Sequence, residues 1–235
     1  AWQGELKDRR KNGEIYPIWF TITGVIAPDG RTTHFVCTQT DITVRKAAEE
    51  EIRNMAYFDA LTGLPNRRMM MDRLRQSLAS CHCDGHQGAL MFIDIDNFKQ
   101  INDTLGHDQG DALLQQAGLR LQQQALPGST VARLGGDEFV VLLERLGTEA
   151  ASAQAQARYV GEKILAALSQ PYLLNGCDHQ CTASIGMTMF GKRRESISTL
   201  LKQADQAMYQ VKLNGRNGLH LFQASDDEIP AKTSP

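Results

Sequence analysis

An α/β domain with a mixed sheet, preceded by a short antiparallel β segment and a connecting helix, is the fold class this sequence predicts, on three observations. From residue 59 onward, apolar runs of strand length such as ALMFIDI, FVVLL and CTASIGMTMF alternate with stretches of helical period. Residues 1 to 41 break at two turn signals into three strand-like runs. Between these regions, TVRKAAEEEIRNMAYF lacks both Gly and Pro and is rich in helix formers.

The first turn signal is Lys11-Asn12-Gly13-Glu14 and the second is Pro28-Asp29-Gly30-Arg31. In the run between them Tyr16, Ile18, Phe20 and Ile22 alternate onto one face, with Trp19, Thr21 and Thr23 on the other. Three strands in about 40 residues make a poor core by themselves. In the helical run, Ala48, Ile52, Met55 and Asp59 follow four-three-four spacing, which suits either a short dimeric seam or a plain connecting helix.

In DALTGLPNRR, at 59 to 68, Thr-Gly and Pro-Asn break one helix, and MMMDRLRQSLAS begins the next. The strand ALMFIDI follows, then two helices, a hairpin around Gly135 and Gly136, a long helix near 149 to 169, the strand CTASIGMTMF and a final helix through Lys212. Residues 223 to 235 are polar, acidic and contain Pro, the composition of a disordered tail.

Composition narrows the functional classes. With 25 basic and 27 acidic residues the formal charge is −2, so no broad basic surface is available to track a nucleic acid. No apolar run approaches the roughly 20 residues of a membrane helix. The chain starts at Ala1 without a secretory signal, as expected of a piece of a longer protein whose membrane attachment, if any, lies outside it. Five cysteines, an odd number, do not suggest a disulfide framework and fit a cytoplasmic setting. The cluster Cys81-His82-Cys83-Asp84-Gly85-His86 lacks the spacing and second half-site of a zinc centre, and is expected in the loop before ALMFIDI.

The acids carry the chemistry. Asp94 stands where a buried strand meets its exit loop, a costly place for a carboxylate without a partner. Asp96, just before NFKQI, reads as a helix N-cap. Asp137 and Glu138 fall at the tip of the Gly-Gly hairpin. If sheet pairing brings that tip to the end of ALMFIDI, three acids converge, and two carboxylates about 5 Å apart repel by about 3 kcal/mol at an effective dielectric of about 20. Such a cluster asks for a hard cation, Mg²⁺ or Mn²⁺. Taken alone, Asp111 reads as a first-turn helix acid and Lys212 as favourable charge at a helix C-terminus.

DALTGLPNRR, FIDIDNFKQINDTLGHDQGD, RLGGDEF, TASIGMT and ADQAMYQVKLNGRN occur in this order, and over residues 57 to 222 the chain resembles a GGDEF-family diguanylate cyclase. The resemblance implies a palm-like fold, with a five-stranded mixed sheet wrapped by helices. It also implies GTP as substrate, cyclic di-GMP as product and Mg²⁺ or Mn²⁺ as cofactor.

By the same resemblance Asp94 and Asp137 are metal ligands with the carbonyl of Ile95, and Glu138 assists at the metal or the reacting phosphate. Asn102 and Asp111 read guanine, while Lys99, Lys212, Arg216 and the backbone amides of Asn97 and Phe98 hold the triphosphate. One nucleotide per chain makes a homodimer the expected working unit. The alternative is a catalytically silent domain that binds GTP or cyclic di-GMP and regulates a neighbouring phosphodiesterase.

Residues 1 to 42 resemble the last three strands of a PAS sensory domain. The expected division is therefore 1–42 as truncated PAS strands, 43–58 as a signalling linker helix, 59–222 as the catalytic domain and 223–235 as the tail. Two departures stand out: Leu126-Pro127-Gly128-Ser129 replaces the Arg-x-x-Asp of the family's product-inhibition site, and Val211 stands where Ala is usual. The first implies weak or absent inhibition through that site.

Overall fold

The computed structural model describes residues 1–191 and 195–223, so the expected tail lies, from residue 224 on, outside the described residues. The chain forms two compact units, Ala1–Ala56 and a second beginning at Tyr57.

In the first unit β1 (Trp2–Arg9), β2 (Ile15–Ile26) and β3 (Thr32–Asp41) pair antiparallel in that order. Both turns form where the Asn-Gly and Asp-Gly signals stand, with Gly13 and Gly30 in left-handed conformations. Ile18 is buried, whereas β3 is exposed along its whole length. Helix α1 (Thr43–Tyr57) buries no residue, and Ile52 and Met55 of the four-three-four stripe are 67% and 71% exposed.

The second unit continues with α2 (Arg67–Asp84), β4 (Gly88–Ile95), α3 (Phe98–Leu105) and α4 (His107–Gln124). The hairpin strands β5 (Thr130–Gly135) and β6 (Glu138–Leu143) precede α5 (Ala150–Leu168). After these come β7 (Tyr172–Leu174), β8 (Cys177–His179), β9 (Ala183–Phe190), α6 (Ile197–Leu213) and β10 (Gly218–Leu221). The main sheet has the order β10-β9-β4-β6-β5; β10 runs parallel to β9 and the other pairings are antiparallel.

This is the mixed α/β architecture expected, with β4 at its centre. The unbroken apolar run of β4 follows from burial on both faces. Met91, Ile93 and Ile95 join the core with Leu113, Ala117 and Leu121 of α4 and Val160 and Ile164 of α5. Leu90 and Phe92 face the opposite layer, with Leu74 and Leu78 of α2 and Leu200, Ala204 and Met208 of α6. A central strand clamped in this way has a fixed end, and Asp94 sits close to that end.

Two local expectations need correction, and one element is added. Helix α2 runs on to Asp84 and stops at Gly85, whose φ of 73° makes the left-handed cap, so Cys81, His82 and Cys83 form its last turn and not a loop. Cys81 is buried and Cys83 exposed, because positions two apart on a helix point away from each other. Asp96 is not the cap of α3: Asn97 takes that place at φ 57° with no side-chain cap bond, and Asp96 turns inward. An additional ribbon, β7 with β8, turns at Asn175 and Gly176; strands of three residues are too short to show a period.

Candidate active site

Pairing of β4 with β6 sets Asp94 directly opposite Glu138, and the other edge of β4 sets Asp94 opposite Ser184 of β9. Opposed residues of an antiparallel pair share a face with their Cβ atoms about 5 Å apart. At the hairpin tip Gly135 pairs with Glu138, leaving Gly136 and Asp137 as the two loop residues. Gly136 has a φ of 54°, a conformation that a side chain would strain. The Ile95 N–H donates to the Asp137 carbonyl at 3.3 Å, which ties the tip to the exit of β4.

The three acids are therefore electrostatic neighbours. Burial pushes the Asp94 carboxyl above its ordinary range; Lys212 opposes this, and Asp137 and Asp96 reinforce it. Glu138 is raised by burial first and then by Asp94, Asp137 and Asp205, with Arg67 acting the other way. Lys212, from the last turn of α6, places Nζ 2.6 Å from Asp94 Oδ2. Among the described residues no three His, Cys, Asp or Glu side chains form a ready metal cage. What the strand end brings together is Asp94 in register with Glu138 and, at the adjoining tip, Asp137, and carboxylate oxygens are the donors a hard cation takes.

Sequence spacing gave no sign of the brace behind the hairpin. Arg133 Nη1 lies 3.0 and 3.1 Å from the two carboxylate oxygens of Asp59, and its Nε and Nη2 donate to the Gly136 carbonyl at 3.0 and 2.8 Å. Asp59 also accepts from the Thr62 hydroxyl and amide. Burial works against its charge, but the Thr62 and Arg133 bonds outweigh it and hold the carboxyl below its ordinary value.

Asp96 is a second brace. Its Oδ1 accepts from Ser184 Oγ at 2.7 Å, and its Oδ2 accepts from Thr182 Oγ1 at 2.7 Å and from the Asn217 N–H at 3.1 Å. The carboxylate thereby anchors the loop that carries Arg216, where Arg216 and Asn217 both take left-handed backbone conformations. Any acid before a helix reads as a cap, so only the packing of β9 and the last loop reveals this use.

The other expected residues lie along α3, α4 and the loop after α6. Asn97 and Phe98 stand at the N-terminus of α3, where the first N–H groups have no intrahelical acceptor. Lys99, Asp111 and Arg216 are exposed, whereas Lys212 is paired with Asp94. Asn102 is half-buried, and its Oδ1 is buried without a hydrogen-bond partner. Leu126 and Ser129 line a cleft of about 460 Å³ with Met69, Arg73 and Gln122, and no carboxylate is among its lining residues.

Fold and site together define a palm-like α/β domain that gathers carboxylates where its central strand ends. Residues 56–218 match the family model described as the diguanylate cyclase, GGDEF domain, and the chain belongs to this family. It is 38% identical over 178 residues to the bifunctional diguanylate cyclase/cyclic di-GMP phosphodiesterase MucR of Pseudomonas aeruginosa, covering 76% of this chain and 25% of that protein. It is 36% identical over 179 residues to the diguanylate cyclase TpbB of the same species, covering 76% of this chain and 40% of that protein. The chain thus spans a quarter to two-fifths of the length of these relatives. A solved structure comprising only the GGDEF domain of P. aeruginosa TpbB superposes with a TM-score of 0.69 at 36% identity, over 74% of this chain and 98% of that one.

Proposed function

We propose that this chain carries the catalytic unit of a diguanylate cyclase, which condenses two GTP into cyclic di-GMP and releases two pyrophosphates. The observation that carries the reading is the registered pair Asp94 and Glu138 with Asp137 at the adjoining tip, a concentration of acid only partly neutralised by Lys212. Asp94, Asp137 and the Ile95 carbonyl would hold Mg²⁺ or Mn²⁺. Such an ion, when bound, supplies a Lewis acid that offsets charge at the reacting phosphate.

In each half-reaction the 3′-oxygen of one GTP forms a bond to the α-phosphorus of the other, pyrophosphate leaves, and the hydroxyl proton is lost. Glu138 assists at the metal or the reacting phosphate. Asp111 accepts from the N1 and N2 donors of guanine, while the Asn102 amide meets the acceptor edge of the base. Lys99, Arg216 and the amides of Asn97 and Phe98 hold the triphosphate, with Lys212 shared between it and Asp94.

A single nucleotide site cannot close the ring, so two chains must present their GTP face to face with reacting atoms about 3 to 3.5 Å apart. Residues 1–42 are read as the end of a PAS-type sensor acting through the 43–58 helix on that geometry. The exposed apolar stripe of α1 supports this reading. If a chain shortened to begin at Tyr57 cycled GTP as fast as the longer one under every signal condition, the coupling would be wrong.

The silent-receptor reading draws on a relative whose name pairs the cyclase with a phosphodiesterase, but intact Asp94, Asp137 and Glu138 weigh against it. Incubation with GTP and Mg²⁺ separates the two readings. Cyclic di-GMP and pyrophosphate should form, and Asp137→Ala should abolish both; no product from a dimeric sample would favour the receptor.

A further inference from the structure

Lys212 answers to two groups. Its Nζ lies 2.6 Å from Asp94 Oδ2, and in the proposed reaction the same ammonium helps to hold the triphosphate. The two side chains are 21% and 14% exposed, so solvent screens their attraction only in part.

Both roots of the pair are fixed. Asp94 stands on β4, clamped between two layers, and Lys212 on the last turn of α6, which lies directly against β9. A Cβ at Gly186 of β9 would stand 2.1 Å from the Ala204 carbonyl oxygen and 2.1 Å from the Met208 amide nitrogen of α6, so only glycine lets the helix lie this close. Met208 and Val211 are buried along the same helix. What stays free to move is the flexible stem of the lysine, whose ammonium is a compact point charge. It can turn between carboxylate and phosphate while the backbone keeps its place. Asp96 does not compete for it, since its oxygens already accept from Ser184, Thr182 and Asn217.

A divalent cation held by Asp94 meets this ammonium as a like charge across one carboxylate, and such repulsion is strong where water is scarce. Phosphate oxygens draw the ammonium to themselves and offset its charge. We propose that Lys212 couples the two ligands of the site: it weakens the hold of Asp94 on a divalent cation until the triphosphate engages it, so that metal and nucleotide favour each other's binding. The proposal rests on the metal-binding role given to Asp94. Coupling of this kind is reciprocal, and is typically about 5- to 150-fold.

The test titrates Mn²⁺ alone into the nucleotide-free chain, follows the free ion by electron paramagnetic resonance and measures Tm in parallel. Lys212→Met should tighten Mn²⁺ binding about tenfold or more, although Tm without metal should fall because Asp94 loses its partner. Lys212→Arg keeps the charge and should bind Mn²⁺ as weakly as the native chain. Lys202→Met, at an exposed position of the same helix, should change nothing. A lysine of purely structural use would, on removal, lower both stability and Mn²⁺ affinity. Unchanged or weaker Mn²⁺ binding in Lys212→Met would overturn the proposal, as would the absence of binding in both chains. Should Lys212→Met fail to fold, Lys212→Gln takes its place, since an uncharged amide can still donate to Asp94, and the same tightening is required. Adding Asp94→Asn to Lys212→Met should abolish the gain. If the double variant binds Mn²⁺ as tightly as Lys212→Met, the metal-binding role of Asp94 itself fails, and the coupling falls with it.

Discussion

Arg133 binds Asp59, 74 residues earlier in the chain, with the same guanidinium that holds the Gly136 carbonyl in the loop presenting Asp137. The segment just after α1 and the acidic hairpin are therefore mechanically joined. A forked, planar cation can make both contacts at once; an ammonium cannot.

Replacing Asp59 with Ala should leave a poorly solvated guanidinium, since the paired side chains are only 11% and 21% exposed. We expect a loss of about 2 kcal/mol, between the values for surface and buried pairs, and a Tm lower by about 4 to 8 °C. Cyclic di-GMP formation should fall about 10- to 100-fold through misplacement of Asp137, with GTP affinity nearly preserved. Arg133→Lys should not restore the rate. Calorimetry and a product assay read both effects, and an unchanged rate in either variant would dismiss the brace.

The acid cluster predicts an unusual pH response. Asp94 and Glu138 are raised above their ordinary values of 3.8 and 4.5, so in the window above those values the folded chain binds more protons than the unfolded one. By linkage their contribution to stability falls as pH rises through that window. In the absence of divalent cations Tm should decline there, and Glu138→Gln should flatten the decline. Added Mg²⁺ should raise Tm at pH 7 and raise it progressively less as the pH falls and Asp94 and Glu138 take up protons. A scan of Tm against pH, with and without Mg²⁺, decides it.

Asp96→Ala should strip three donors of their acceptor inside the fold, one of them the Asn217 amide. We expect about 3 kcal/mol of destabilisation by denaturant titration. If the carboxylate also sets Arg216, KM for GTP should rise more than kcat falls. A helix cap would lose only about 1 kcal/mol and leave KM alone.

The cleft at Leu126 and Ser129 holds one arginine and no carboxylate among its lining residues, so it cannot clamp both the phosphate and the guanine of the product. Progress curves should therefore show weak inhibition by accumulated cyclic di-GMP. Introducing Leu126→Arg with Ser129→Asp should create inhibition where the native chain has little. Tight product binding that is lost on changing Leu126 to Ser129 would contradict this.

Much of the fold was legible because burial imposes a period. The run Ala89 to Ile93 reads as a strand covered on both faces, and that is how β4 is packed. The Asn-Gly and Asp-Gly turns were legible for the same local reason, since few residues accept left-handed backbone. Asp94, Asp137 and Glu138 could be named as a set from their places at strand ends. The register that puts Asp94 opposite Glu138 could not be read, because it depends on which edge of β4 receives β6.

Local pattern failed where one residue type serves two environments. Asp96 has the sequence of a cap and the surroundings of a buried anchor, and Cys81 to Cys83 look like a loop until Gly85 is seen to end the helix. By itself the sequence determined the element order, the core strand and the family to which the chain belongs, since these follow from periodicity and from motifs contiguous in the chain. Only the tertiary structure decided that Arg133 reaches Asp59, that Lys212 pairs with Asp94 and that Gly110 makes room for Asn102. Those contacts join residues far apart in the chain or on different helices, and only the packed fold sets the distances between them.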